Sequence, residues 1–243
     1  MIEKVQLPMH VFDVIDSTND YCQKNNEILA SGSFVMAYRQ TKGRGQYDRK
    51  WQSQENKNLL CSILLKDKGE SDQSLLPTLT SLALIRLLNH HDIKASVKWP
   101  NDVLVDGKKV AGILIESVWE SSKRTTVIGV GLNINQTIFP IELRSIATSM
   151  SLITKREFSI EEIASEWIEQ FNHLTELSPQ LLLAEYKQKL IGLNQPVIVI
   201  EKNHRLHGIF VDIDSAGHLI IDCDGRWVTC LSRTMLIEKP DIL

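Results

Sequence analysis

Lys98-Trp99-Pro100-Asn101-Asp102-Val103-Leu104-Val105-Asp106-Gly107-Lys108-Lys109-Val110-Ala111-Gly112-Ile113-Leu114-Ile115-Glu116 reads as two apolar runs joined by Asp106-Gly107. Asp-Gly between such runs provides the backbone freedom of a tight turn, so residues 103–105 and 110–116 are expected to pair as a hairpin. Lys109 then opens the returning strand, and Gly112 leaves a place on that strand where a ligand can approach the backbone closely. The next apolar run, residues 126–135, carries Gly129, Gly131 and Asn133 at a period of two, so all three share one face of a strand. This Gly-x-Gly lacks the downstream pattern of a dinucleotide fold.

Working outward, residues 11–15 alternate around Asp13, residues 34–38 form a short apolar run, and 58–65 reads as a buried strand. Residues 74–88 carry apolar side chains at helical spacing, and 95–98 is short and strand-like. Residues 138–150 are expected to be a loop with a short helix. Ser159-Ile160-Glu161-Glu162 opens a helix running to about residue 177, and Pro179 opens another to about 191. From Pro196 the texture changes to short β-runs separated by glycine and charged turns, which predicts a small antiparallel barrel or curled sheet. The expected class is α/β (α+β), with a boundary near Leu193 separating residues 1–193 from 194–243.

The 243 residues suffice for one large domain or one domain with an appendage. A net charge of -3 points to neither nucleic acid nor an anionic membrane. Cys22, Cys61, Cys223 and Cys230 are scattered with no Cys-x-x-Cys pair, so reduced thiols and a cytoplasmic location are expected. Residues 1–10 have no apolar segment of signal-peptide type, and no window is long enough to span a bilayer. His204, His207 and His218 are expected to be surface residues rather than metal ligands. There is no P-loop and no Gly-x-Ser-x-Gly elbow.

Chemistry concentrates in Gln40-Thr41-Lys42-Gly43-Arg44-Gly45-Gln46-Tyr47-Asp48-Arg49-Lys50-Trp51. Glycines flank Arg44, and Lys42, Arg44, Arg49 and Lys50 face a single carboxylate within the loop, Asp48. Such a loop suits a phosphate or carboxylate ligand. With its own cations repelling one another, it is expected to be open alone and ordered over ligand. Trp51 calls for a partner surface. Ser17 or Thr18 can cap a helix whose first turn holds Asp20, and the same hydroxyl and amide cluster can bond a neutral polar ligand. Cations, amides and open backbone with no obvious nucleophile suit a site that joins two anionic ligands, such as a carboxylate attacking the α-phosphate of ATP.

In that order, Ser17-Thr18-Asn19, Gln40 with Gly43-Arg44-Gly45 and Arg49-x-Trp51, Lys98-Trp99-Pro100-Asn101-Asp102 with Lys109-x-x-Gly112, and Gly129-x-Gly131-x-Asn133 resemble the biotin–protein ligase family across nearly the whole chain. The resemblance implies a mixed-sheet catalytic domain followed by a small SH3-like barrel, in the monofunctional class without an N-terminal DNA-binding domain. It implies that biotin and ATP, with magnesium, give biotinyl-adenylate and pyrophosphate, after which a lysine of a biotin carboxyl carrier protein takes the biotin. The catalytic residues so implied are Lys109 and Arg44. Biotin would be bound by Ser17, Thr18, Asn19, Gln40, Gly43, Arg44, Gly45, Gln46, Lys109, Gly112, Gly129 and Gly131. The nucleotide would be bound by Arg44, Arg49, Trp51, Asn101, Lys109, Asn133 and Arg233. No metal-ligand set is identifiable. Many members have Arg at the position of Gln46 and Gly at that of Asp48. The resemblance allows a homodimer and implies no nucleic-acid or membrane partner. A lipoate–protein ligase of the same fold and a non-catalytic biotin-sensing protein are the alternatives.

Overall fold

The computed structural model describes residues 2–67, 73–201, 204–231 and 234–237. A seven-stranded mixed sheet has the order β1-β2-β3-β7-β6-β5-β4. Its strands are β1 (Gln6–Ile15), β2 (Ser33–Gln40), β3 (Asn58–Asp67), β4 (Ser96–Lys98), β5 (Asp102–Val105), β6 (Lys108–Glu120) and β7 (Lys123–Asn133). Only β1 and β2 run parallel, with the short helix α1 (Thr18–Lys24) between them; every other pairing in the sheet is antiparallel. The expected hairpin joins β5 to β6, with φ of 48° at Asp106 and 74° at Gly107.

Helices α2 (Leu76–His90), α4 (Ile160–Leu174) and α5 (Pro179–Lys187) follow from their side-chain spacing. α2 is apolar nearly all round and is buried; two of its three buried hydroxyls, on Thr80 and Ser81, bond back to the preceding turn at 2.7 Å. α4 buries one stripe, Ile160, Ile163, Ala164, Trp167, Ile168, Phe171 and Leu174, capped by Ser159. These side chains share one core with β3, β6 and β7. On the opposite face Cys22 of α1 packs with Val35, Leu64 and Val127. The single-turn helix α3 (Met150–Thr154) follows an irregular stretch, as expected.

A five-stranded antiparallel sheet has the order β11-β10-β9-β8-β12, from β8 (Pro196–Glu201), β9 (His204–Ile213), β10 (Leu219–Cys223), β11 (Arg226–Cys230) and β12 (Thr234–Ile237). Its inner side chains Val197, Val199, Phe210 and Met235 join the same core as α2 and α4. The indole of Trp99 donates to the carbonyl of Gly217 at 3.0 Å, tying the β4–β5 turn to this sheet.

Some boundaries differ from the sequence expectation. β1 begins at Gln6 rather than near residue 11: it is an edge strand, where Pro8 removes no bond the sheet interior needs. For α1, where the sequence sets no end, the helix stops at Lys24, because the side-chain amides of Asn25 and Asn26 bond back to the carbonyls of Tyr21 and Gln23. α5 stops at Lys187, because Lys189 and Ile191 turn to exchange backbone bonds with Val97 of β4.

Candidate active site

The three sequence stretches converge on one narrow cleft. Gly112 of β6 pairs directly with Gly131 of β7, and Gly129 lies between Leu114 and Ser62. This glycine-lined strip forms the floor. The first turn of α1 forms one wall, the loop after β2 the roof, and the start of β6 the far end. Thirteen of the residues expected from sequence line the cleft: Ser17, Thr18, Asn19, Gln40, Arg44, Gly45, Gln46, Trp51, Asn101, Lys109, Gly112, Gly129 and Gly131. A second, larger cavity of about 450 Å³ opens beside it and holds the expected Arg49 and Asn133. Gly45, Gln46, Trp51, Asn101 and Lys109 lie on the boundary and line both. Gly43 lies buried behind the cleft; a Cβ there would stand 2.9 Å from the carbonyl oxygen of Trp51. Arg233 lies outside the described residues.

The inner end of the cleft is polar and tightly ordered. Ser17 caps α1, its hydroxyl accepting from the Asp20 amide. Gln40 Oε1 accepts from the Thr18 amide at 2.7 Å and from its hydroxyl at 3.0 Å. The buried Ser62 hydroxyl lies 2.6 Å from Asn19 Oδ1 and 2.7 Å from Thr18 Oγ1. An amide oxygen can only accept, so the Ser62 proton goes to Asn19, and the Thr18 proton is shared between Ser62 Oγ and Gln40 Oε1. Thr18 Oγ1 therefore keeps acceptor capacity for an incoming N–H.

The floor glycines provide room for protein side chains. A Cβ on Gly129 would fall 2.3 Å from Asn19 Oδ1, and one on Gly131 would fall 2.5 Å from Cε2 of Trp51. At Gly112 it would meet the Lys109 stem at 2.8 Å and the Trp51 ring at 2.9 Å. These glycines line the cleft and have a second role that the sequence did not show. They seat Asn19, Trp51 and Lys109, which line the cleft in turn.

Lys109 is fixed at both backbone and head. Its amide donates to Ile146, and its carbonyl accepts from Thr148, so the segment after β7 is bridged onto it. Its ammonium sits 2.5 Å from Asp102 Oδ1 and 5.5 Å from the centre of a Trp51 ring. Asn101 is spent on β6, donating from its side chain to the Ile113 carbonyl at 2.9 Å. Asn133 likewise donates to the Thr148 carbonyl. Both amides line the second cavity while positioning its walls.

The loop is itself a small hairpin: Gly45 donates to Arg49, Trp51 donates to Gly43, and Tyr47 takes a φ of 57°. Two of its four cations are paired with carboxylates from outside the loop, and the loop is closed here, where the expectation was a loop open without ligand. Lys42 pairs with Asp16, and Arg44 pairs with Asp20 and Glu116, all from outside the loop. Hydrogen bonding to Glu116, above all, raises the Arg44 pKa.

Ser62, Asp20, Asp102 and Glu116 were not assigned from the sequence. Ser62 carried a signal, as the hydroxyl inside an otherwise apolar buried run, and Glu116 shares the parity of Gly112 and Leu114. Phe139, Leu143, Ile146 and Met235, which make the second cavity apolar, carried none.

A family model described as the biotin/lipoate A/B protein ligase family matches residues 11–133, and one described as the biotin protein ligase C-terminal domain matches residues 192–240. The bifunctional ligase/repressor BirA of Bacillus spizizenii is 33% identical over 224 residues, covering 86% of this chain and 68% of that protein. The biotin–[acetyl-CoA-carboxylase] ligase of Mycobacterium tuberculosis is 30% identical over 208 residues, covering 81% of this chain and 76% of the relative. Among solved structures, the biotin protein ligase of Aquifex aeolicus in complex with biotin and ATP superposes with a TM-score of 0.84 at 28% identity, covering 95% of this chain and 99% of that one.

Proposed function

The chain belongs to the biotin/lipoate A/B protein ligase family, and from that membership together with the site we infer that it is an ATP-dependent biotin–protein ligase. The observation that carries this reading is the joining of two unlike cavities at Lys109. The cleft ends in Thr18, Gln40 and Asn19, backed by the buried Ser62, and these suit a ureido group with its carbonyl acceptor and two N–H donors. The second cavity is walled by Trp99, Phe139, Leu143, Ile146 and Met235, which suit a nucleobase. A biotin carboxylate and the α-phosphate of ATP would then meet beside the Lys109 ammonium.

In the first half-reaction the carboxylate oxygen attacks the α-phosphorus and pyrophosphate leaves. Lys109 offsets the repulsion between the two anions and the charge that grows on the phosphoryl oxygens. In the second, the neutral amine of an acceptor lysine attacks the acyl carbon, AMP departs, and an amide remains. The acceptor is a biotin-carrier protein, which we propose to be a biotin carboxyl carrier domain. We assign Arg49 to the nucleotide side and Ser17, Gly45 and Gln46 to the biotin side. The catalytic unit is taken as residues 1–193 and the SH3-like unit as 194–243.

Magnesium fits this site. It is usually held by one or two carboxylates together with substrate phosphates, and the rim offers Asp102, while no cluster of three ligating side chains occurs among the described residues. Bound there with ATP, magnesium would supply charge neutralisation of the phosphates.

Lipoate carries no ureido group, and its apolar ring would offer no N–H to the spare acceptor capacity of Thr18. The test is pyrophosphate release. Biotin with ATP should give it, lipoate with ATP should not, and Lys109→Ala should slow it by about two to three orders of magnitude. Release driven by lipoate and not by biotin would overturn the reading.

A further inference from the structure

The roof of the cleft is fastened to both of its walls by one side chain. The Arg44 guanidinium meets Glu116 through two parallel bonds, Nη1 to Oε1 at 2.8 Å and Nη2 to Oε2 at 3.0 Å. Nη2 also meets Asp20 Oδ1 at 2.6 Å. Asp20 stands in the first turn of α1 and Glu116 on β6, so the loop cation spans the mouth of the cleft. Glu116 is itself held by Asn19 Nδ2 at 2.8 Å, which couples the fastening to the polar end.

Two other facts give this arrangement a purpose. The roof narrows the cleft to about 50 Å³, so its position governs how freely a ligand enters or leaves. Gln46 brings a neutral amide to the lining, and Lys42 is engaged with Asp16 on an exposed surface, so neither supplies a charge to grip an anionic intermediate.

We propose that Asp20 and Glu116 are positioning residues that latch the basic loop closed through Arg44, so that retention of the adenylate depends on ion pairs between loop and walls. This rests on the ligase reading. The latch touches the loop and not the reacting atoms. Its loss therefore speeds opening and leaves the chemistry of adenylate formation in place. A mixed anhydride exposed to water hydrolyses, so a faster opening is read directly as leakage.

The experiment uses the full chain with Glu116→Gln, Asp20→Asn and the double variant, with Lys42→Ala as the control. The enzyme is loaded with biotin and ATP, pyrophosphate is removed, and escape of the adenylate is trapped with hydroxylamine. The expected result is a rise in escape of about tenfold in Glu116→Gln and more in the double variant, since charge-assisted bidentate bonds are the stronger kind. The first-turnover pyrophosphate burst at saturating biotin stays within about twofold of the wild type, and Lys42→Ala escapes at the wild-type rate. Hydrogen exchange provides a second readout without ligand. The amides of Gly45 and Trp51, which donate to Arg49 and Gly43, should be protected in the wild type and lose that protection in the double variant. Unchanged escape together with unchanged exchange in the double variant overturns the latch. A wild-type protein that releases no pyrophosphate from biotin and ATP overturns the ligase reading instead, and exchange alone then decides whether the loop is fastened.

Discussion

Gly131→Ala puts the packing of Trp51 to a direct test. The new Cβ would stand 2.5, 2.7 and 2.9 Å from three indole atoms, Cε2, Cζ2 and Nε1. Ordinary carbon–carbon contact needs about 3.5–4.0 Å, so the ring must withdraw by about 1 Å or more. It cannot flex as an alkyl chain would, and its backbone amide is anchored to Gly43 at 3.0 Å. The floor cannot yield either, since Gly131 is paired on both sides, with Leu60 and with Gly112. Overpacking of this kind costs about 1–3 kcal/mol. For a chain of this size each kcal/mol lowers the melting temperature by about 2–4 °C, so a fall of about 2–12 °C is expected in thermal unfolding. Calorimetric titration should show weaker biotin binding as well, because the displaced ring and its loop shape the cleft. Attribution to the indole comes from a double-mutant cycle with Trp51→Ala, which should recover most of the loss as a coupling of about 1–3 kcal/mol. A wild-type melting temperature in Gly131→Ala, or strictly additive single effects, would falsify the packing described for Trp51.

Ser62→Ala strands the Asn19 amide oxygen in a buried place, so stability should fall by about 1–3 kcal/mol in denaturant unfolding. In the same variant, biotin affinity should fall by about tenfold or more in titration calorimetry. Hydrogen bonding from Tyr38 lowers the pKa of Glu161, so this contact stabilises the fold above the ordinary carboxylate range and is lost as pH falls through the depressed value. Tyr38→Phe should flatten the acid limb of a melting-temperature profile below about pH 5; an unchanged profile would remove the Tyr38 contact as the cause. Burial pushes the Cys22 thiol up to about 12 and raises Cys61 further from reactivity, so an aromatic disulfide reagent at pH 8 should spare both in the folded protein and reach Cys223, which is partly exposed. Rapid modification of Cys22 or Cys61 without unfolding would contradict their burial.

The fold was legible where local pattern and tertiary demand agree. Asp106-Gly107 announces its turn, the period of two in 126–133 announces β7, and the stripe from Ile160 to Leu174 announces α4. The boundaries that shifted are those decided by a distant partner. Nothing local to Lys189 and Ile191 says that their backbone will pair with Val97, roughly ninety residues earlier, so helical spacing alone runs α5 too far. The side-chain bonds of Asn25 and Asn26 are the opposite case: Asn-Asn directly after Lys24 is a local stop signal for α1.

The site divides along the same line, and the division bears on its chemistry. Glycines, hydroxyls and a lysine at a hairpin advertise themselves because their residue types are costly elsewhere in a strand or turn. Charge partnership does not. Counted along the loop, Lys42, Arg44, Arg49 and Lys50 face one carboxylate, which argues for a loop waiting on an anion. In three dimensions, Asp16 and Asp20 reach it from either side of the α1 N-terminus, and Glu116 from a strand more than seventy residues away. This changes what a ligand must do. Any anion that draws Arg44 to itself must compete with two carboxylates already in contact with it, one of them bidentate. Net attraction between Arg44 and a phosphate is therefore smaller than the loop's composition suggests. Lys109 also starts from an ion pair, but with a single carboxylate, and it stands where the two cavities join. On the ligase reading we therefore assign the electrostatic work on the reacting phosphate to Lys109, and to Arg44 the control of when the cleft is open.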